Sequence, residues 1–247
     1  MTKQFTLKQA IAEAGKVSLG NSKMPSTTFA ISAKHCKVGS KLAKIKGSTC
    51  AICYALKLQN IRPSVDKGWT NNLFKAIKLI ETNPNLWAKQ MAFQIKRGCN
   101  KLGILLHRWF DSGDLQSIEM LRAIVLTCEL TPEINHWLPT REAKMVKDYR
   151  KQFGKEPENL VIRVSATMVG DAPMKNHSNT STVHRKNETV YGKECLAYRT
   201  NKDNIVVDLE TFKAMTRPEK KEQDFGHCGD CHACWSKEIE NISYPLH

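Results

Sequence analysis

Near its C-terminus the chain reads Cys228-Gly229-Asp230-Cys231-His232-Ala233-Cys234-Trp235, three thiols at two-residue spacing. No other feature constrains the fold as strongly, because a thiol run this dense has to wrap around something. A structural zinc closes with four ligands, as a rule in two separated pairs. The spacing C-x2-C-x2-C instead supplies three corners of an iron–sulfur cluster, with a fourth Cys expected after three further residues. That position holds Glu238. The fourth corner then comes from elsewhere in the chain, from a ligand other than Cys, or stays open.

The other six cysteines are at 36, 50, 53, 99, 128 and 195. Met1-Thr2-Lys3-Gln4-Phe5 lacks the apolar core of a secretory leader. No stretch of eighteen or more apolar residues offers a transmembrane helix, so no membrane association is expected. A cytoplasmic location follows, where thiols stay reduced and are read as metal ligands before disulfides. The 247 residues suffice for one sizeable α/β core. A formal charge of +14 favours polyanions, so nucleic acid is an expected partner, set against lysine spread over the whole surface.

Hydrophobic periodicity orders the rest. Thr6 to Gly15 reads as a capped amphipathic helix, and 16–50 as irregular. Helices follow at Ala55–Asn60, Asn71–Glu81 and from Asn83, with Pro84 in the first turn and Gly98 as terminator. Gly103–Phe110 is an apolar run of strand length, Asp111–Asp114 a turn, and Leu115–Cys128 a helix with Asp114 as N-cap. Ile134–Leu138 is a second strand, Arg141–Phe153 a helix, and Leu160–Ser165 a third strand. Residues 170–203 read as a long polar excursion containing surface histidines His177 and His184, then Asn204–Leu209 as a strand and Glu210–Met215 as a helix. Strands alternating with helices of this length predict βαβ units. The expected fold is α/β, a partial (β/α) barrel or open parallel sheet, with irregular Cys-bearing segments at both ends. One domain is expected over 1–247, with a core at 50–215 and a cluster-binding segment at 216–247.

In parallel α/β folds ligands sit at the carboxyl ends of the strands. Those ends are polar here: Asp111, Ser112, Gly113 and Asp114, then Thr140, Arg141 and Glu142, then Ser165 and Thr167. Asp111, Asp114, His107 and Glu142 are the candidate proton-moving groups. Ser112, Gly113, Thr140, Arg163 and Ser165 are the candidate cofactor-binding positions. Cys50-x-x-Cys53 with Cys36 forms a second thiol group, and as a thioredoxin-type motif it fits poorly because no predicted strand precedes it. His35, His227 and His232 adjoin the two thiol groups as alternative ligands or hydrogen-bond donors to sulfur. P-loop, dinucleotide-binding, nucleophile-elbow and H-E-x-x-H motifs are absent.

On Cys36, Cys50-x-x-Cys53-Tyr54-Ala55, Asp111-Ser112-Gly113-Asp114, Thr140-Arg141, Arg163-Val164-Ser165 and the final Cys-x-x-Cys-x-x-Cys-Trp, the sequence resembles the bacteriophage gene-product-88 family of iron–sulfur proteins. That resemblance spans about 36–235 and implies an isolated upstream Cys as fourth ligand, matched by Cys195 beside Cys228, Cys231 and Cys234. It also implies a phage protein acting in the infected host cell. More distantly the order of features is similar to radical-SAM enzymes, in which a Cys trio ending in Cys-Tyr holds a [4Fe–4S] cluster and an acidic Gly-containing turn meets S-adenosylmethionine. Ser112-Gly113-Asp114 takes that turn's place. The departure is the thirteen residues between Cys36 and Cys50, where that family has three.

The expected protein is therefore an enzyme with one or two [4Fe–4S] clusters, acting on a small molecule through an open iron at the strand ends, with S-adenosylmethionine as a second expected cofactor. Two alternatives stand beside it. One is a Lewis-acid hydrolase or esterase using the cluster iron; the other is a non-catalytic, cluster-stapled nucleic-acid-binding protein.

Overall fold

The computed structural model describes residues 5–21 and 23–246; Met1–Gln4, on which the absence of a leader was read, lie outside them. The elements run α1 (Leu7–Ala14), β1 (Thr27–Phe29), α2 (Lys37–Leu42), α3 (Tyr54–Ile61), α4 (Pro63–Thr82), α5 (Pro84–Leu102), β2 (Leu106–Trp109) and α6 (Ile118–Glu129). They continue with β3 (Asn135–Thr140), α7 (Ala143–Phe153), β4 (Leu160–Ser165), β5 (Thr180–His184), β6 (Lys193–Glu194), α8 (Leu209–Ala214), α9 (Arg217–Glu222) and β7 (Asn241–Pro245). The seven strands form one sheet in the order β1-β2-β3-β4-β5-β7-β6. Every neighbouring pair is parallel. The sheet is flanked by helices and is not closed into a barrel.

Strand alternation sorts side chains onto two different faces. Phe29, Trp109, Leu138, Leu160, Ile162 and Val164 point into the main core, where they meet Trp87, Met91 and Ile95 of α5 and Leu121 and Ile124 of α6. The opposite face carries Leu106 and Trp137, which the C-terminal segment covers with Trp235, Cys234 and Tyr244. The helices thus line one side of the central strands and the cysteine run lines the other.

Several boundaries move for physical reasons. The Asn83 side chain accepts from Leu86 N as expected, but α5 runs past Gly98 and stops at Gly103, which is left-handed at φ 67°. Gly98 is instead a contact residue: a Cβ there would lie 2.7 Å from Thr27 Cγ2, so its bareness seats α5 on β1. Helix α6 starts later than expected because Ser117, whose side chain accepts from Met120 N, caps it in place of Asp114. No strand spans 204–209; Val206 makes only an isolated bridge with Thr200. Conversely, β1, β5, β6 and β7 lie in stretches read as irregular or left unassigned. In β5 and β7 polar side chains bond across the strands, Thr182 Oγ1 to Ser243 Oγ at 3.1 Å and Thr180 Oγ1 to Asn241 Oδ1 at 2.8 Å, so no apolar alternation marks them. His184 is not a surface residue: it is buried on β5 with Nδ1 2.7 Å from Ser243 Oγ.

Candidate metal centres and the strand-end site

Chain that leaves β1 and β2 builds the first thiol group. Phe110, forced to a left-handed φ of 52°, turns the backbone after β2, and Gly113 follows at φ 85°. A Cβ on Gly113 would lie 2.3 Å from Ile31 Cγ1 and 2.8 Å from Ile31 O, so only glycine lets the β2 turn lie against the segment after β1. Ile31 N donates to Ser112 O at 3.0 Å across the same contact. The turn delivers Asp114 to a hub: its carboxylate accepts from Leu115 N (2.8 Å), Thr140 Oγ1 (2.6 Å) and Arg141 N (2.9 Å). Burial pushes this carboxyl up to about 6, while the Thr140 hydroxyl and the Arg141 amide oppose the rise.

Arg141 extends the hub to the cysteines. Its Nε and Nη2 donate to Thr49 Oγ1 at 3.0 and 2.7 Å, next to Cys50, while Thr49 N donates to Thr167 O at the end of β4. Glu142 accepts from Val38 N at 2.8 Å and so fixes the start of α2 behind Cys36. Cys36 and Cys53 are themselves the N-caps of α2 and α3, and Cys53 Sγ accepts from Leu56 N at 3.4 Å. A point one Cβ above Gly39 is 3.6 Å from Cys50 Sγ and 3.7 Å from Cys36 Sγ, so both sulfurs converge on it. Burial raises the Cys36 thiol, and Asp114, Cys53 and Cys50 add to the rise. Burial also raises Cys50, against the pull of Arg141. Cys36, Cys50 and Cys53 therefore form one group with Asp114, Arg141 and Glu142 at the carboxyl ends of β1 to β4.

The second thiol group lies on the covered face of the sheet. Cys228 is pushed up to about 11 by burial, then by Cys195 and Cys231. Cys234 is pushed up to about 12 by burial and by Cys195 and Cys228, with a hydrogen bond to Tyr244 and the charge of Arg163 pulling the other way. Cys195 N donates to Ser243 O at 2.9 Å on β7, and Cys228 N to Lys23 O at 2.8 Å. Cys234 Sγ lies 3.2 Å from Tyr244 Oη. The thiols that raise Cys36 and Cys50 are Cys50 and Cys53, and those that raise Cys195, Cys228 and Cys234 are Cys195, Cys228 and Cys231.

Arg163, expected at a cofactor, holds backbone instead. It is fully buried, and its guanidinium donates to the carbonyls of Ala233 (3.0 Å), Cys234 (3.1 Å), Ser236 (2.6 Å) and Ile239 (2.8 Å). His107, expected among the proton-moving groups, points into the main core on the other side of β2. There its Nδ1 is 2.8 Å from Thr27 Oγ1 and its ring lies edge-on to Trp109, where burial holds it neutral. Ser165 accepts from Ser181 Oγ at 3.0 Å, on the β5 side of the strand ends. Ser112 is buried with an unbonded hydroxyl in the β2 turn. Asp111 stands beside it; burial raises its carboxyl, the Arg108 charge opposes this, and Oδ1 has no hydrogen-bond partner.

Two contributors escaped the sequence: Thr49, directly before Cys50, and Tyr244, which sits on the unrecognised β7. Arg108, with His107 a residue costly to bury unpaired and so expected to find a partner or face the site, does find partners. Arg108 stacks 4.6 Å over Trp137, and its charge reaches Asp111, Cys228 and Tyr244. The advance signal for Arg108 was the cost of burying a cation unpaired on an apolar strand, on the face that alternation set opposite Trp109.

Among the described residues no three His, Cys, Asp or Glu close to the spacing of a single metal ion. Zinc–thiolate bonds of about 2.3 Å demand such closure, whereas a cluster with an iron at each corner takes its thiolates further apart. The donor chemistry, four thiols in one group and three in the other, is compatible with iron–sulfur ligation, and a set of four thiols is equally that of a structural zinc. Metal loading would have to displace the protons that burial keeps on Cys36, Cys50, Cys195, Cys228 and Cys234. Among the described residues no helix is long and apolar enough to cross a membrane. The family model described as Gene product 88 matches residues 2–237. No curated protein and no solved structure matches the chain.

Proposed function

The chain belongs to the gene product 88 family, and on that premise we propose that it is a phage-type iron–sulfur enzyme whose substrate meets the three-thiol group at the strand ends. The observation that carries this reading is the division of seven thiols into four on the sheet face covered by the C-terminal segment and three at the strand ends. Cys195, Cys228, Cys231 and Cys234 would hold a [4Fe–4S] cluster entirely through thiolates, as a structural or electron-storing centre. Cys36, Cys50 and Cys53 would hold a second, leaving one iron without a protein ligand. A cluster so held supplies Lewis acidity or a single electron to a ligand bound beside it.

The protein's own residues divide the remaining work. Asp114 spends both carboxylate oxygens on the hub and is a positioning residue that sets Arg141, and through Thr49 the Cys50 loop. Glu142 positions Cys36 through Val38 N. Asp111 has the free oxygen, Oδ1, and a raised pKa, so it is the group suited to take or give a proton there. S-adenosylmethionine is the proposed ligand of the open iron; direct hydrolysis at that iron is the second reading, favoured by the unbonded Asp111 oxygen.

Anaerobic purification with iron and sulfide quantitation and EPR tests the proposal. Roughly eight irons per chain are expected for two four-iron clusters, falling to roughly four in Cys228→Ser/Cys231→Ser and in Cys50→Ser/Cys53→Ser. Titration with S-adenosylmethionine should shift the EPR signal of the first variant and leave that of the second unchanged. Zinc as the sole metal, or loss of all iron from either variant with the fold intact by circular dichroism, refutes the two-centre reading.

A further inference from the structure

The positive charge of the chain is concentrated. From Ala14 to Val65 there are nine Lys and Arg and not one Asp or Glu. Without those nine, 29 basic residues face all 24 acidic ones, so most of the net +14 comes from the stretch that bears Cys36, Cys50 and Cys53. Lys34, Lys37, Lys41, Lys44, Lys46 and Lys57 flank the three thiols and are all exposed. Among the described residues only Lys34 of these six forms an ion pair, with Asp66 at 3.0 Å.

The same segment exposes apolar groups. Ile52 is 59% and Tyr54 62% exposed, on either side of Cys53. Tyr54 is held in place all the same, because its hydroxyl donates to Asp111 O at 2.6 Å. One side of an aromatic ring is thus fixed beside the β2 turn while the rest faces solvent.

Two kinds of polyanion could answer such a surface, and its composition separates them. Protein interfaces are depleted of Lys and mix both signs of charge at the rim. Surfaces for single-stranded nucleic acid combine lysines that track the phosphates with aromatic rings on which bases stack. Six lysines without a carboxylate among them, around a presented tyrosine, match the second description. We propose that residues 34–57 bind single-stranded nucleic acid and lead it to the strand-end thiol group. The binding stands on the charge and the exposed ring alone. That the bound strand is also the substrate rests on the function proposed above.

The test is fluorescence anisotropy of the iron-loaded protein with labelled single-stranded DNA, single-stranded RNA and duplex DNA over a range of salt concentrations. With six phosphates neutralised, log affinity should fall against log salt with a slope of about −4 for single strands. Lys41→Gln/Lys44→Gln/Lys46→Gln should reduce that slope by about 2. Tyr54→Ala should weaken single-strand binding about tenfold without altering the slope, and Tyr54→Phe should restore it. Lys147→Gln/Lys151→Gln/Lys155→Gln removes equal charge from exposed positions on and after α7 and should change nothing.

An equal loss in the α7 variant would show diffuse charge and overturn the proposal. So would indifference to Tyr54, or displacement of the strand by poly-glutamate at equal charge, which would point to an acidic protein. Iron is quantified in the same samples. Binding without iron refutes the enzyme and keeps the surface; iron without binding does the reverse.

Discussion

Replacing Arg163 by Met tests whether the cysteine run is held from beneath by a buried cation. The side chain is fully buried, and no carboxylate pairs with it among the described residues. Its guanidinium satisfies the carbonyls of Ala233, Cys234, Ser236 and Ile239. Met preserves much of the volume and strands Cys234 O and Ser236 O, whereas Ala233 O keeps Ser236 N and Ile239 O keeps Asn179 Nδ2. A buried polar group left without a partner costs about 1–3 kcal/mol, which sums to at least about 2 kcal/mol for the two. Domains of this kind are stable by about 5–15 kcal/mol, so the variant should fold with a clearly lowered stability. Guanidinium chloride unfolding at equilibrium reads the loss. Limited proteolysis should then cut first within 226–240, and iron should leave the four-thiol group before the three-thiol group. Arg163→Lys should recover little, since one ammonium cannot reach four carbonyls set around a planar fork. A destabilisation of Arg163→Met below about 1 kcal/mol would refute the account, because the carbonyls would then have found other partners.

Two further outcomes follow from single positions. Gly113→Ala should misplace Asp114 and lower iron bound at the three-thiol group, since its methyl would lie 2.3 Å from Ile31 Cγ1 at a φ of 85°; iron unchanged from the wild type would contradict this. His136, fully buried with Nε2 2.8 Å from Thr131 Oγ1, is lowered to about 3 by burial. A neutral histidine whose folded pKa lies below the unfolded 6.5 contributes stability that is complete above pH 6.5 and is lost as pH falls toward 3. At 1.36 kcal/mol per unit the loss between pH 6.5 and 5 is about 2 kcal/mol. Urea midpoints at pH 7.5 and 5 should show it, and His136→Gln should remove its share of the difference and leave that of buried His107.

Legibility followed the kind of interaction that forms each element. The apolar strand Leu160–Ser165 was readable to the residue, because both of its faces are buried and a near-continuous apolar run marks it. The polar strands β5 and β7 were not, because their buried faces are joined by hydroxyl and amide hydrogen bonds that leave no hydrophobic period. Asp114 was readable as a special residue at a strand end but was assigned the wrong partner. An N-cap and an inter-strand hub call for the same carboxylate, and only the fold brings Thr140 and Arg141 to it. Arg163 and His107 failed for a shared reason: a strand position has two faces, and the sequence does not say which one the cysteine segment will cover.

What the sequence by itself determined is the chemistry: two sets of thiols, a parallel α/β body, and polar residues at the ends of its strands. Local spacing and periodicity are short-range properties, so they survive in one dimension. What only the tertiary structure decided is the division of labour. It gathers Cys195 to Cys228 and Cys234 from more than thirty residues away and sets Cys36, Cys50 and Cys53 against Asp114. Cys195 comes beside the thiols of the opening run because β6 pairs in parallel with β7 and leaves Cys195 N bonded to Ser243 O. That contact is made by a sheet edge, and no spacing along the chain encodes it.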